Sequence, residues 1–196
     1  MNNQLIKQAE AFLPTQFGQF QIAAFATHSD EPMPHIALIH RELDVSKPVV
    51  VRIHSECMTG DLFGSRKCDC GEQLAYSLHE ISENNGVLIY LRQEGRGIGL
   101  INKLKAYQLQ EQGFDTIEAN THLGFEADTR QYNDALTMLN SLNISQIRLL
   151  TNNPLKVKAF DNSTIRVTER LAIRIEPNED NQHYFDVKKA FMGHLF

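Results

Sequence analysis

The chain has 196 residues and a formal net charge of −5, a length that suits one domain with a substantial core. It carries 19 Lys and Arg against 24 Asp and Glu, with no long basic run, which argues against a nucleic-acid partner held by a broad cationic surface. No stretch approaches the ~20 apolar residues of a membrane span, and the opening MNNQLIKQAEAF lacks the apolar centre of a signal peptide, so a cytoplasmic protein with no membrane partner is expected.

Taken in chain order, Phe20 to Ala26, His35 to His40 and Val49 to Ile53 read as strands, because short apolar or alternating runs are divided there by Pro, Asp and Ser. After Cys70 the period changes: Leu74, Leu78 and Ile81 share one helical face, and Asn84-Asn85-Gly86 supplies the stop. Val87 to Leu91 reads as a buried strand. A glycine-rich turn follows, then a helix with Leu100, Leu104 and Tyr107 at helical spacing that ends by Gly113. A further helix, opened by Ala127-Asp128-Thr129-Arg130, carries Tyr132, Ala135, Leu136 and Leu139. A strand from Ile147 to Thr151, a short helix after Pro154 and a strand around Ile165 to Val167 complete the series. The expectation is a single compact α/β domain over residues 1–196, with a mixed sheet, flanking helices and a β-rich, antiparallel N-terminal portion.

All three cysteines are clustered, as Cys57, Cys68 and Cys70. A structural zinc site is normally closed by four Cys or His ligands, whereas a catalytic zinc keeps a position for water, so three ligands point towards chemistry. Three buried thiols are the plainer alternative. The polar, turn-like setting of Cys68-Asp-Cys70-Gly favours the metal, and an odd, clustered count suits a reducing compartment better than a disulfide framework.

Four further segments begin near strand ends, where ligands gather in α/β sheets. Arg52-Ile53-His54-Ser55-Glu56 runs directly into Cys57, so His54 and Glu56 can line the same pocket as a metal. Glu94-Gly95-Arg96-Gly97-Ile98-Gly99 lets backbone approach a ligand closely and then opens a helix, a combination suited to phosphate; it is neither the dinucleotide fingerprint nor a P-loop. Asp128 or Thr129 can be an N-cap, but Arg130 in a first helical turn opposes the helix dipole and so suggests an anionic ligand. Thr151 and Lys156 flank Asn152-Asn153-Pro154 and can bind phosphate or a base, although cap and turn duty would satisfy the asparagines. By spacing alone Tyr107 is a core aromatic.

Taken together, Arg52 to Asp61, Cys68-Asp-Cys-Gly71, Arg92 to Leu100, Asn102 to Tyr107, Asp115 to Asn120, Leu123-Gly-Phe125 and Leu149 to Pro154 resemble GTP cyclohydrolase II, from about residue 12 to Met192-Gly-His-Leu195. The resemblance is to the stand-alone form, since no stretch is left for a dihydroxybutanone phosphate synthase domain. It implies a hydrolase that takes GTP to 2,5-diamino-6-ribosylamino-pyrimidinone 5′-phosphate, formate and pyrophosphate, the first committed step of riboflavin synthesis. It implies one Zn²⁺ per subunit on Cys57, Cys68 and Cys70, which would activate the water that attacks C8. It also implies Mg²⁺ with the triphosphate, and a homodimer. Arg52, Ile53, His54, Ser55, Glu56, Gln73, Glu94, Gly95, Arg96, Thr116, Thr151 and Lys156 match its GTP-contacting positions. Asp128 matches its proton acceptor, and Tyr107 a tyrosine near the ring-opening chemistry. Arg130 matches a residue proposed to attack the α-phosphate; because guanidinium stays protonated, electrostatic stabilisation is a rival role. One departure is Lys67, where the family usually has Arg, which keeps the charge and loses the bidentate fork.

Two other functions share some of these features. A nucleotide sensor with a structural zinc would have no need of Asp128, Arg130 and Tyr107 together. A zinc nucleobase deaminase would carry a Cys-x-x-Cys signature beside its His-x-Glu, and the cysteines at 57, 68 and 70 contain no such pair.

Overall fold

The computed structural model describes residues 4–126 and 128–181. Seven strands, β1 (Ile6–Thr15), β2 (Gly18–Ala26), β3 (His35–His40), β4 (Val49–Ser55), β5 (Val87–Leu91), β6 (Gln146–Leu150) and β7 (Arg166–Leu171), form one sheet in the order β1-β2-β3-β5-β4-β6-β7. β1, β2 and β3 form an antiparallel meander, and β3 is also antiparallel to β5. β5, β4, β6 and β7 run parallel. The mixed sheet with an antiparallel N-terminal portion is therefore as expected.

Two strands exceed the expectation for the same reason. β1 falls in a segment that reads as merely polar, and β7 extends past the apolar stretch at Ile165 to Val167. Both lie at sheet edges with mostly exposed side chains, so neither shows the alternation of a half-buried strand; backbone pairing holds them in place.

The helices among the described residues are α1 (Met58–Asp61), α2 (Cys70–Glu83), α3 (Gly99–Gln110), α4 (Thr116–His122), α5 (Asn133–Ser141) and α6 (Pro154–Lys158). α2 carries the expected stripe, with Leu74, Leu78 and Ile81 packed near Phe20 and Leu88. α5 covers the main core, in which Ala135, Met138 and Leu139 meet Val51, Ile53, Ile89 and Leu149. Burying each of the larger of these side chains contributes about 1.5–3 kcal/mol.

The expected helix opening at Asp128 is corrected. α5 begins at Asn133 with Tyr132 as N-cap, and Asp128 to Gln131 lead into it without helical structure. The Asp128 carboxylate accepts from the Arg130 amide instead, closing a local turn that competes with helix formation. Arg130 therefore lies outside the first turn of α5. α3 differs too: Leu104 is half-exposed and Ala106 is buried, so its apolar spacing does not mark a core face.

Position along β4 decides where chemistry can occur. Val49, Val51 and Ile53 enter the main core, whereas Arg52 and His54, equally buried, face α1 and α2. The chain leaves β4 through α2 to β5 on one side and reaches β6 through α5 on the other, so β4 lies at a topological switch point. The crevice beyond the carboxyl ends of such strands is where α/β sheets bind ligands.

Candidate active site

β4 delivers Cys57 just past its end, and Cys70 is the first residue of α2. α1 and α2 approach so closely that a Cβ on Gly71 would lie 2.5 Å from the Gly60 carbonyl oxygen. Two glycines thus let the cysteine segments converge. Cys57 Sγ is 3.7 Å from Cys68 Sγ, and the three sulphurs lie within 4.8 Å of one another. Thiolates sharing a tetrahedral zinc at about 2.3 Å sit about 3.8 Å apart, so the spacing fits that ion. Hydrogen bonds with Cys68 and Cys70, then the nearby Lys103 ammonium, hold Cys57 far below an ordinary thiol despite burial. Hydrogen bonding to Cys57, with burial, pushes Cys68 up to about 11 and Cys70 well above the usual thiol range.

A buried network supports this cluster. Asp61 accepts from the Cys57 amide at 3.0 Å and from the Tyr90 hydroxyl at 2.8 Å, and it meets His54 Nε2 at 3.0 Å. Burial pulls the His54 imidazole below its ordinary range. Neutral His54 then donates from Nε2 to Asp61 and accepts at Nδ1 from Arg52 Nη2, 3.4 Å away, while its ring stacks on Tyr90. Its side chain is thus engaged inside the protein.

In front of the sulphurs lies a cavity of about 320 Å³ lined by Cys57, Cys68, Cys70, Glu94, Arg96, Tyr107 and Arg130, among others. That size falls within the range of small-molecule sites. Glu94 accepts from the Met58 amide at 2.6 Å and the Gly95 amide at 2.7 Å, and Lys103 joins its carboxylate at 2.8 Å to Cys57 Sγ at 3.1 Å. Tyr107, one turn beyond Lys103, has its hydroxyl 3.4 Å from Thr59 Oγ1, and burial pushes it up to about 12. Tyr107 thus lines the cavity, against its reading by spacing alone.

The glycine turn is a 3₁₀ segment, Glu94–Gly97, in which Gly95, Arg96 and Gly97 all have positive φ. For Arg96 this conformation costs of order 1 kcal/mol or more. Thr129 holds it by donating from its amide and hydroxyl to the Arg96 carbonyl, and a Cβ on Gly97 would lie 2.3 Å from Thr129 Oγ1. Next to it, Asp128 takes two hydrogen bonds from the Arg130 guanidinium. Burial raises Asp128, but Arg130 outweighs it and holds the carboxyl below its usual range.

Behind the main cavity, a smaller one of about 60 Å³ is lined by Arg52, Gln73, Arg96, Arg130, Thr151 and Lys156, among others. Arg52 donates to Gln73 at 2.8 Å and to the Leu150 carbonyl at 3.2 Å; its Nε finds no partner among the described residues, and burial pulls it down to about 10. Lys156 donates to the Ile53 carbonyl at 2.7 Å, and burial, then Arg52, pulls it well below the usual lysine range.

A protein-family model described as GTP cyclohydrolase II matches residues 6–172. This chain belongs to that family. Its GTP cyclohydrolase II relatives include GTP cyclohydrolase-2 of Buchnera aphidicola subsp. Schizaphis graminum, 50% identical over 98% of this chain and 98% of the relative. GTP cyclohydrolase-2 of Histophilus somni is 51% identical over 95% and 87%. Riboflavin biosynthesis protein RibBA of Bacillus cereus is 48% identical over 96% of this chain and 48% of the relative, so the chain spans about half the length of that relative.

Of the site residues expected from the sequence, the three cysteines, Ser55, Glu56, Glu94, Gly95, Arg96, Tyr107 and Arg130 line the larger cavity. Arg52, His54, Gln73, Thr151 and Lys156 line the smaller one, which shares Ser55, Cys70, Arg96 and Arg130 with its neighbour. Asp128 reaches both through Arg130, and Ile53 contributes its carbonyl to Lys156. Thr116 opens α4, and its side chain lies outside the described residues, as do Ala127 and Met192 to Leu195. Lys67, where the resemblance leads to an expected arginine, lines the larger cavity with its ammonium 4.8 Å from the Tyr107 ring centre. Sequence reasoning did not single out Asp61, Tyr90 or Lys103; the quoted motifs contain Asp61 and Lys103 together with His54, Cys57 and Glu94, but nothing in their spacing shows that these side chains meet.

Proposed function

We propose that this chain is a zinc-dependent GTP cyclohydrolase II that converts GTP to the diaminopyrimidinone ribosyl phosphate, formate and pyrophosphate, the first committed step of riboflavin synthesis. The observation that carries this reading is the three-sulphur cluster at the wall of a cavity that also presents Tyr107, Arg96 and Arg130. Cys57, Cys68 and Cys70 would hold zinc, which supplies Lewis acidity and a water activated at neutral pH. Arg52 to Glu56, Gln73, Glu94 to Arg96, Thr116, Thr151 and Lys156 bind GTP. His54 takes part through its backbone, because its ring is engaged by Asp61 and Arg52.

Phosphate belongs on the side where Arg52, Arg96, Arg130 and Lys156 surround the smaller cavity, with Mg²⁺ on the triphosphate. Arg130 keeps its proton against the Asp128 carboxylate, which favours electrostatic stabilisation of the transferring phosphoryl group over attack by the guanidinium. Asp128 is a poor base while both its oxygens face Arg130. Transfer of that guanidinium to phosphate would release the carboxylate to accept a proton. Tyr107 positions the opening imidazole ring. The protein works as a cytoplasmic homodimer of single domains spanning 1–196.

Incubation of the purified chain with GTP, Mg²⁺ and zinc is expected to release formate and pyrophosphate. Absence of both products, with zinc bound, would overturn this function. Tight GTP binding without turnover would point to the sensor instead.

A further inference from the structure

Cys57 and Glu94 sit at the ends of adjacent parallel strands, and one side chain from α3 bridges them. Lys103 Nζ lies 3.1 Å from Cys57 Sγ and 2.8 Å from Glu94 Oε1. The other Glu94 oxygen holds the amide of Met58, the residue after Cys57, so the contacts form a closed circuit from metal ligand to glycine turn and back through α3. The Lys103 side chain is 12% exposed and that of Glu94 9%, so this is not a loose surface ion pair. Ordering a lysine there costs side-chain entropy and desolvation, which a position needed only to anchor α3 could avoid with an apolar residue.

We propose that Lys103 is a positioning residue of the hydrolysis, whose N–H···S bond fixes the Cys57 thiolate and withdraws electron density from it. This rests on the reading of the three cysteines as zinc ligands. Three thiolates make a metal electron-rich and a weak Lewis acid. A cationic hydrogen bond to one of them restores part of the metal's pull on water, as partners of metal ligands commonly do. Helix α3 places Tyr107 one turn further along, with Lys103 Nζ 5.8 Å from its ring centre, so the helix that tunes the sulphur also presents the aromatic to the same cavity.

The test uses the full chain loaded with cobalt(II), whose thiolate-to-metal charge-transfer band reports sulphur donation directly. Lys103→Met is expected to retain one metal per chain, to move that band to longer wavelength, and to lower kcat about 10- to 100-fold with KM changed less than about threefold. Lys103→Gln keeps a neutral donor on a side chain one bond shorter and guards against a fold failure of the methionine variant; its band should lie between the other two. An unmoved band in a folded variant would overturn the proposal, and so would a rise in KM at constant kcat, which would make Lys103 a substrate contact. A wild-type protein without any thiolate-to-cobalt band would overturn the zinc reading itself, and this one with it.

Discussion

The two cavities share a wall but are built from opposite chemistry. Around Cys57 sulphur and carboxylate are gathered, with Cys68, Cys70, Glu56 and Glu94 near the ends of β4 and β5 and Lys67 and Lys103 as counter-charges. Around Lys156 they are cationic, with Arg52, Arg96 and Arg130 lining the smaller space and two of the four held below their ordinary ranges chiefly by burial. A cation suits the first pole and an anion the second. Arg96 and Arg130 belong to both, so a ligand that spans them can present a ring to the sulphurs and phosphate to the guanidinium groups.

Removing the first pole should have the largest effect. Cys68→Ser is expected to take zinc content from one per chain to near none and to lower both formate and pyrophosphate release more than about 100-fold, since it deletes a thiolate from a three-ligand site. Metal analysis beside product assays checks this; full activity with zinc retained would remove Cys68 from the ligand set. At the second pole, Arg130→Ala should slow pyrophosphate release about 10²- to 10³-fold, the usual cost of losing one preorganised cationic donor. Arg130→Lys then separates the two roles: partial recovery supports electrostatic stabilisation, and no recovery favours a step that needs the guanidinium itself.

The support behind the first pole should matter less than its ligands. Asp61→Asn weakens an acceptor that serves the Cys57 amide, Tyr90 and His54 together. A 10- to 100-fold loss of zinc affinity is expected, measured by competition with a chelator. Tyr107→Phe removes only a hydroxyl, so a roughly tenfold loss confined to formate release is expected, with pyrophosphate release changed less. Equal losses of both products would leave Tyr107 no part specific to ring opening.

The poles were unequally legible in sequence. Ligand type and spacing are local, so Cys68 and Cys70 announce a metal, and the polar runs after β4, β5 and β6 mark the ligand-binding ends of strands. Contacts between distant segments are silent: Lys103 meets a cysteine 46 residues away, and Lys156 a carbonyl 103 residues away. The Asp128 segment misled because Asp, Thr and Arg before an apolar helix also describe an ordinary N-terminus. Only the fold shows that α5 starts later and that the carboxylate is occupied by Arg130. β1 was missed because an exposed edge strand needs no apolar alternation to pair.

The smallest expected effect concerns stability at the cationic pole. Lys156 is buried and its pKa is depressed, so the unfolded chain binds this proton more tightly than the folded one. Wild-type stability should therefore rise with pH from the depressed folded value up to the ordinary lysine value near about 10.4, because the proton that favours unfolding is lost over that window. Lys156→Met fills similar volume, carries no proton, and lacks this slope. It is expected to stabilise the chain by about 1 kcal/mol or more near neutral pH, with the advantage closing towards about pH 10, while GTP binding weakens. Denaturant melts at several pH values check the sign. A methionine variant no more stable than wild type at neutral pH would mean that the bond to the Ile53 carbonyl offsets the burial of Lys156, and the two poles would then differ in charge but not in strain.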